Sequence, residues 1–178
     1  ANISSFISSI RKNVFKSADS QVATRWGNIT DFKEFDLITP NEREVRFSLG
    51  DQDSNISILT QNLASLTNFK NLILKLGERG VFSVSNINRK KTMDAKSFTI
   101  PSFVSKVEDS VGAGDALLAY STLTMVATGS LIISSIIGSI AAACQCENLG
   151  NITVSPDLVL EKINNIEDLS GYKKKWKQ

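Results

Sequence analysis

The junction between an extended segment and a long predicted helix reads Asp109-Ser-Val-Gly-Ala-Gly-Asp115. Two glycines flank a small residue where the helix begins, so backbone N–H groups there can approach an anion closely. The partial positive charge of a helix N-terminus favours the same kind of ligand. Asp115 falls in the first turn, where a carboxylate can accept the proton of an attacking hydroxyl. The alternative is that Asp115 only caps the helix and the glycines serve packing, which suits a bare Gly-X-Gly-Asp equally well.

Outward from this junction, apolar strands alternate with amphipathic helices. Asn71-Leu-Ile-Leu-Lys-Leu76 is an apolar run bounded by glycines, which is typical of a strand buried on both faces. Val81 to Val84 follows at once and predicts a hairpin with it. The helical patterns run over Glu42–Leu49, Ile56–Leu66, Asp115–Ala127 and Leu131–Glu147. The order of elements predicts an α/β fold, a three-layer α/β/α sandwich with a mostly parallel sheet.

Charge and hydropathy exclude several classes of partner. The 178 residues carry a net charge of +2, which gives no electrostatic basis for binding nucleic acid or a membrane surface. The most apolar run, Leu131 to Cys144, is short for a membrane span and is interrupted by serines and a glycine, so it predicts a buried helix. We therefore expect no nucleic-acid partner and no membrane partner.

The inventory of reactive residues narrows the chemistry. The chain contains no histidine, which removes Ser-His-Asp and Cys-His nucleophile systems and histidine-ligated zinc. Cys144 and Cys146 lie two positions apart on a predicted helix, where their side chains cannot meet, so buried thiols in a reducing, cytoplasmic compartment are expected. Neither the Gly-X-Gly-X-X-Gly of Rossmann dehydrogenases nor the Gly-X-X-X-X-Gly-Lys-Ser/Thr of P-loop kinases is present.

Two further segments place polar residues or glycines at predicted strand ends. In Thr39-Pro-Asn41-Glu-Arg-Glu44, Asn41 and Glu44 can either cap the next helix or bind a ligand. Leu76-Gly77-Glu-Arg-Gly80-Val81 is either a simple tight turn or a glycine turn against a ligand. Ligands gather at strand ends in α/β sheets, so the sequence predicts one site built from these two segments and the Asp109 junction.

Together the three segments resemble the signatures of the ribokinase-like (PfkB) carbohydrate kinases. The Asp109 junction resembles the family's Asp-Thr-X-Gly-Ala-Gly-Asp, Asn41 to Glu44 its Asn-X-X-Glu motif, and Gly77 to Gly80 the glycine turn after a core strand. They occur in family order and spacing, and the resemblance extends from Val14 to Ile163. A closer likeness, to the heptose-phosphate kinase branch, lies in the segments Asp19–Gln21, Leu37–Glu44 and Asn148–Pro156.

The resemblance implies that ATP phosphorylates a hydroxyl of a sugar or sugar phosphate, with D-glycero-D-manno-heptose 7-phosphate as the acceptor suggested by the closer branch. It implies that Asp115 is the catalytic base and that N–H groups of Gly112, Ala113 and Gly114 stabilise the charge on the phosphoryl group. It also implies that Glu44, with Asn41, positions Mg²⁺ through water.

The resemblance also implies contacts to the nucleotide. The residues that it places around the nucleotide are Lys75, Gly77, Gly80, Ser139 and Asn148. Many relatives carry Thr where this chain has Lys75, and Asn or His where it has Ser139.

A monovalent cation, K⁺, is implied for those members of the family that use one. Its ligands in this chain would be the Asp109 carboxylate and backbone carbonyls near Val111, Gln145, Asn148 and Gly150.

Members of the family run to roughly 300 residues as one domain, with the sugar motif and a lid in their N-terminal half. This chain opens on a helical pattern, Ile3 to Ile10, without a preceding strand. Residues 1–178 are therefore expected to form the C-terminal, nucleotide-binding portion of a kinase domain. Its sheet would be incomplete at the N-terminal side and would expose one edge, and the isolated chain would be inactive. A homodimer is left open for the full-length form.

A second function stays open at this point. The chain could be a nucleotide-binding or structural module that derives from such a kinase and has lost catalysis. The motif residues do not separate the two.

Overall fold

The structure is a computed structural model that describes residues 6–7, 9–11, 13–20, 29–85 and 96–170. The helix expected over Ile3 to Ile10 lies partly outside these ranges. The strands are β1 Ser17–Ala18, β2 Leu37–Ile38, β3 Asn71–Lys75, β4 Val81–Ser85 and β5 Lys96–Ile100. The helices are α1 Glu42–Leu49, α2 Ile56–Thr67, α3 Ala113–Thr128, α4 Leu131–Cys146 and α5 Pro156–Ser170, with short 3₁₀ turns at Ile29–Asp31 and Gly77–Arg79.

The five strands form one mixed sheet in the order β1-β2-β3-β4-β5. The first three strands are parallel, whereas β4 runs antiparallel to both β3 and β5. The α/β fold and the hairpin are thus confirmed, but the parallel part of the sheet is limited to β1, β2 and β3. The reason is the tight turn between β3 and β4, which reverses the chain at once. Within the described ranges, no strand pairs with the outer edge of β1.

Helices cover both faces of the sheet. Successive side chains of a strand point to opposite faces, and those of β3 are buried on both. Leu72 and Leu74 of β3 pack with residues of α1 and α2 in one buried cluster. Ile73, between them, packs with Leu117 of α3 and Leu131 of α4 in a second cluster. The predicted three-layer sandwich is therefore confirmed. None of the helices in the described ranges combines the length and apolarity that a membrane crossing needs.

Small residues let α3 and α4 pack closely side by side. A Cβ atom on Gly138 of α4 would lie 3.0 Å from the Leu117 carbonyl oxygen and 3.0 Å from the Ser121 Cβ of α3. This close approach places the N-terminal end of α3 beside the C-terminal end of α4. Cys144 is buried there, Cys146 is half-buried, and both are free thiols.

The turn between β3 and β4 depends on Gly80. Its φ of 83° is left-handed, and a Cβ atom there would overlap the Ile100 carbonyl oxygen and lie 2.6 Å from the Pro101 carbonyl carbon. The Leu76 N–H donates to the Gly80 carbonyl at 2.8 Å and closes the turn. Only glycine therefore lets the end of β5 pass so close to this turn.

We expect Gly80→Ala to destabilise the chain more than the same change at Gly129, measured as the free energy of unfolding in urea. Gly129 has a φ of 66° but no atom within 4 Å of an added Cβ, so Gly129→Ala carries only the left-handed strain of about 1–2 kcal/mol. Gly80→Ala adds a clash with backbone that cannot move without displacing β5. Equal losses in the two variants would contradict this account of the turn.

Candidate functional site

Polar side chains collect where the parallel strands end. Asp19 follows β1, Asn41 and Glu44 follow β2, and Lys75 is the last residue of β3. Because β1, β2 and β3 are parallel, their carboxyl ends meet at one edge of the sheet. The start of α3 reaches the same edge, where a Cβ atom on Gly114 would lie 3.1 Å from Lys75 Nζ and 3.4 Å from Asp19 Oδ2. The structure thus brings together two of the three predicted segments and the end of β3.

Asn41 and Glu44 form a reciprocal cap on α1. Asn41 Oδ1 accepts from the Glu44 N–H at 2.8 Å, and Glu44 Oε2 accepts from the Asn41 N–H at 2.8 Å and from the Ser20 hydroxyl at 3.1 Å. Burial raises the pKa of Glu44. The hydrogen bond from the Asn41 N–H and the charge of Lys75 act against this rise, whereas the negative charge of Asp19 adds to it. The capping interpretation of these residues is therefore correct, and the cap holds a desolvated carboxylate at the strand edge.

An ion pair between Lys75 and Asp19 occupies the centre of the edge. Lys75 Nζ donates to Asp19 Oδ2, and the Ser20 N–H donates to Asp19 Oδ1 at 2.9 Å. Burial raises the pKa of Asp19 in spite of Lys75, and the negative charge of Asp115 raises it further. Sequence reasoning assigned no role to Asp19. The available signal was an aspartate directly after a short β-like segment, the position where ligands meet parallel strands.

The N-terminus of α3 offers uncapped backbone donors. Gly112 has a φ of 83° and supplies no side-chain cap, and Ala113 N–H is already taken by the Ser110 carbonyl at 3.2 Å. In the described part of the chain, the N–H groups of Gly114 and Asp115 have no acceptor, and the Asp115 carboxylate accepts no hydrogen bond. Asp115 is exposed. The left-handed position of the motif is Gly112, whereas Gly114 is already helical.

A cavity of about 490 Å³ opens beside this edge. Four of the residues predicted to surround a nucleotide line it, namely Lys75, Gly77, Gly80 and Ser139. The rest of the lining is largely apolar and includes Val81, Phe103, Leu117, Ala142 and Ala143. Its size and its apolar walls with few polar groups suit a nucleoside.

Ser139 provides an unsatisfied polar atom in this cavity. The residue is 7% exposed, and its hydroxyl has no hydrogen-bond partner within the described residues. Buried hydroxyls normally have a partner, so the Ser139 hydroxyl, which is shielded from solvent, is an exception in the cavity wall. Asn148, by contrast, does not line the cavity, and its Nδ2 donates to the Cys144 carbonyl at 2.7 Å at the end of α4.

An ion pair between Glu147 and Lys162 holds the outer wall of the cavity, which consists of residues 102–107. Glu147 accepts the Ser105 N–H at 2.7 Å and binds Lys162 Nζ through both oxygens, at 2.6 and 2.8 Å. Burial alone would raise the pKa of Glu147, but the hydrogen bonds from Lys162 and Ser105 lower it. Sequence reasoning did not find this anchor, because its members are far apart in the chain.

A second cavity, of about 530 Å³, lies on the other side of Lys75 and Gly77. Asn41 and Arg43 line it, and Lys75 and Gly77 border both cavities. The predicted ligand residues Asn41 and Lys75 are therefore on a continuous surface that joins the cavities.

The expected cation residue Asp109 is engaged locally. Its Oδ1 accepts the Val111 N–H at 2.9 Å, and its own N–H donates to the Cys146 carbonyl at 3.1 Å. The segment before Gly112 is thereby held against the end of α4.

Comparison with solved structures shows the ribokinase-like fold. A ribokinase from Thermotoga maritima superposes with a TM-score of 0.70 at 24% identity, over 87% of this chain and 50% of that chain. An Arabidopsis thaliana ribokinase complexed with ribose and ATP superposes with a TM-score of 0.62 at 22% identity, over 75% of this chain and 43% of that chain.

Comparison with curated proteins and families gives the membership. The bifunctional protein HldE of Shewanella sediminis is 26% identical over 165 residues, which cover 92% of this chain. The chain spans a third of that relative's length, 33%. The model of the pfkB family carbohydrate kinases matches residues 9–158. The strand-edge site and its cavity therefore lie in a chain that belongs to the PfkB family of carbohydrate kinases.

Proposed function

We propose that the protein containing this chain transfers the terminal phosphoryl group of ATP to a hydroxyl of a sugar or sugar phosphate. The observation that carries the proposal is the meeting of three features at one strand edge. They are the Asp115 carboxylate and the N–H groups at the start of α3, which have no partner among the described residues, and the ammonium of Lys75 beside a nucleoside-sized cavity. Membership of the family supports a carbohydrate acceptor.

The polarity of the surface indicates where the nucleoside and the phosphates of the nucleotide bind. The largely apolar cavity with the Ser139 hydroxyl takes the nucleoside. The phosphates extend past Lys75 towards Gly114, because the ammonium and the α3 N-terminus place positive charge side by side there, whereas Lys106, which also lines the cavity, is paired with Glu108. A phosphate bound there competes with Asp19 for the Lys75 ammonium.

Asp115 is the group placed to accept the acceptor's proton. Its carboxylate is exposed and accepts no hydrogen bond from the described residues, so it is free to bind a hydroxyl. The hydroxyl oxygen forms the new bond to the terminal phosphorus, the bond from that phosphorus to ADP breaks, and the proton passes to Asp115. The N–H groups of Gly114 and Asp115, which have no acceptor among the described residues, stabilise in this proposal the oxygens that carry the developing charge.

The donor set at this edge fits a hydrated Mg²⁺ that arrives with the nucleotide. Burial raises the pKa of Glu44 and of Asp19; the charge of Asp19 adds to the first shift and that of Asp115 to the second, so Asp19 lies within electrostatic reach of both other carboxylates. Among the described residues, no group of three or more such side chains is arranged to ligate a metal directly. Asp19 and Glu44 would hold the ion through water, as Mg²⁺ commonly retains several waters. When bound, the ion neutralises charge on the phosphates.

The acceptor is proposed from the family branch. The segments that resemble heptose-phosphate kinases, together with the similarity to HldE, favour D-glycero-D-manno-heptose 7-phosphate as the first acceptor to assay. A panel of free sugars and other sugar phosphates is the control for that choice.

We expect Asp115→Asn, in the natural gene product, to lower kcat by about 10²–10⁴-fold with little change in ATP affinity, because Asn cannot accept the proton. The matched control is Asp157→Asn, which removes an exposed aspartate from the first turn of α5. Steady-state kinetics and calorimetric titration of ATP make the measurement. Full activity of Asp115→Asn would remove Asp115 from the mechanism, and an inactive wild-type protein that still binds ATP would favour the module without catalysis.

We expect Lys75→Met to weaken ATP binding to this chain by about 10–100-fold, because a hydrogen bond between charged groups contributes about 1.5–3 kcal/mol. Adenosine affinity should be unchanged, since Met keeps the apolar stem that lines the cavity. Lys70→Met, which removes a lysine from an exposed pair with Asp36, is the matched control. If calorimetric titration shows no ATP binding by the folded wild-type chain, the proposed function itself is contradicted.

We expect Glu44→Gln to stabilise the chain at pH 7 by a few degrees in Tm, since about 1 kcal/mol corresponds to roughly 2–4 °C in a chain of this size. Burial raises the pKa of Glu44, so its ionisation costs stability as the pH rises above the ordinary value of 4.5. The gain should disappear on acidification below that value. Affinity for Mg²⁺ and ATP should fall at the same time.

Glu42→Gln is the control with the opposite sign. Burial alone would raise the pKa of Glu42, but Arg46 and Arg79 lower it. The ionised form therefore stabilises the fold at pH 7, and this contribution is lost as the pH falls through the lowered pKa of the folded state. Thermal unfolding across this pH range distinguishes the two variants, and destabilisation by Glu44→Gln at pH 7 would contradict the prediction.

A further inference from the structure

We infer that the side-chain carboxamide of Gln145 takes the place of a monovalent cation in this chain, so that its phosphate-binding edge assembles without K⁺. The inference concerns the same edge as the proposed function and rests on it for the role of that edge. The residues that the family resemblance places around K⁺ do not fit an ion here, because the Gln145 side chain lies between the two segments and N–H donors of the chain engage three of the five expected ligand groups.

The two segments in question lie directly against each other. The N–H groups of Glu108 and Asp109 donate to the Cys146 carbonyl at 2.8 and 3.1 Å. A Cβ atom on Gly112 would lie 3.1 Å from the side-chain carbonyl carbon of Asn151 and 3.5 Å from that of Gln145. The space between the end of α4 and the start of α3 is therefore closed by protein atoms.

Gln145 fills the middle of this contact. The residue is 1% exposed, and its Nε2 donates to the Gly150 carbonyl at 2.8 Å. Its own backbone carbonyl accepts the Asn148 N–H at 3.2 Å. One carboxylate oxygen of Asp109 accepts the Val111 N–H at 2.9 Å. Three of the expected ligand groups thus already have a donor.

The carboxamide supplies to the Gly150 carbonyl what an ion would supply. A K⁺ ion is held by carbonyl oxygens that replace its hydration shell. The NH₂ group of a glutamine carries two N–H donors and can satisfy carbonyls without an ion. Displacing Gln145 to admit K⁺ would leave a buried polar group without a partner, which is unfavourable. The bond to Gly150 therefore ties the turn after α4 to the end of that helix, and the Gln145 side chain packs beside Gly112, at the start of the turn that carries the Gly114 and Asp115 donors.

Thermal unfolding of this chain without nucleotide tests the inference, in KCl, NaCl and choline chloride at equal ionic strength. We expect the same Tm for the wild type in all three salts. Gln145→Ala removes the carboxamide and leaves a space bordered by carbonyls, so its Tm should rise with KCl concentration and saturate, as mass action requires for a bound ion. Gln61→Ala, the same change at an exposed position of α2, should show no K⁺-specific rise.

Gln145→Glu is the second variant and keeps the size of the side chain. Its carboxylate would face the Gly150 carbonyl oxygen, so K⁺ should stabilise this variant more than Na⁺ or choline does. A K⁺-specific rise in the Tm of the wild type overturns the inference, and so does a folded Gln145 variant that does not respond to K⁺. If neither variant folds, the wild type decides, and equal Tm values in the three salts sustain the inference. A wild type that binds no ATP contradicts the proposed function but does not affect the comparison of Tm values, which is made without nucleotide.

Discussion

The close approach of the α3 N-terminus to the Lys75–Asp19 ion pair is the constraint on which the site depends. Gly114 has no side chain, and the ammonium and carboxylate lie where a Cβ would begin to crowd them. A bulky side chain there would displace the Lys75 ammonium and the Asp19 carboxylate or move the start of α3. Either change would alter how Lys75 is aligned with the Gly114 and Asp115 N–H groups and the Asp115 carboxylate, which belong to one helical turn.

The same edge holds more negative charge than it can compensate alone. Burial raises the pKa of both Asp19 and Glu44, and the single ammonium of Lys75 does not offset it. A carboxylate in this situation destabilises the free protein and binds cations well. The arrangement is therefore suited to a nucleotide that arrives with Mg²⁺, which adds positive charge where the fold lacks it.

The C-terminal end of α4 organises the rest of the site. Ser139 and Cys146 line the nucleoside-sized cavity, Glu147 anchors its outer wall through Ser105 and Lys162, and Gln145 binds the following turn beside Gly112. Because α4 packs closely against α3 at Gly138, the α4 wall of the cavity and the N-terminal turn of α3 are held together. Polar contacts at a single helix end thus position both halves of the proposed nucleotide site.

The sequence by itself determined the family, the α/β class, the helices, the hairpin and four residues that line the 490 Å³ cavity. Each of these depends on short-range signals, such as the periodicity of α2, the cap formed by Asn41 and Glu44, and the glycines of the two turns. Tertiary structure alone decided that the sheet is mixed, that Lys75 pairs with Asp19 across 56 positions, and that Gln145 lies between two loops. It also decided that Asn148 caps α4 outside the cavity. These features depend on how packed elements align, and local patterns do not encode the alignment of elements far apart in the chain.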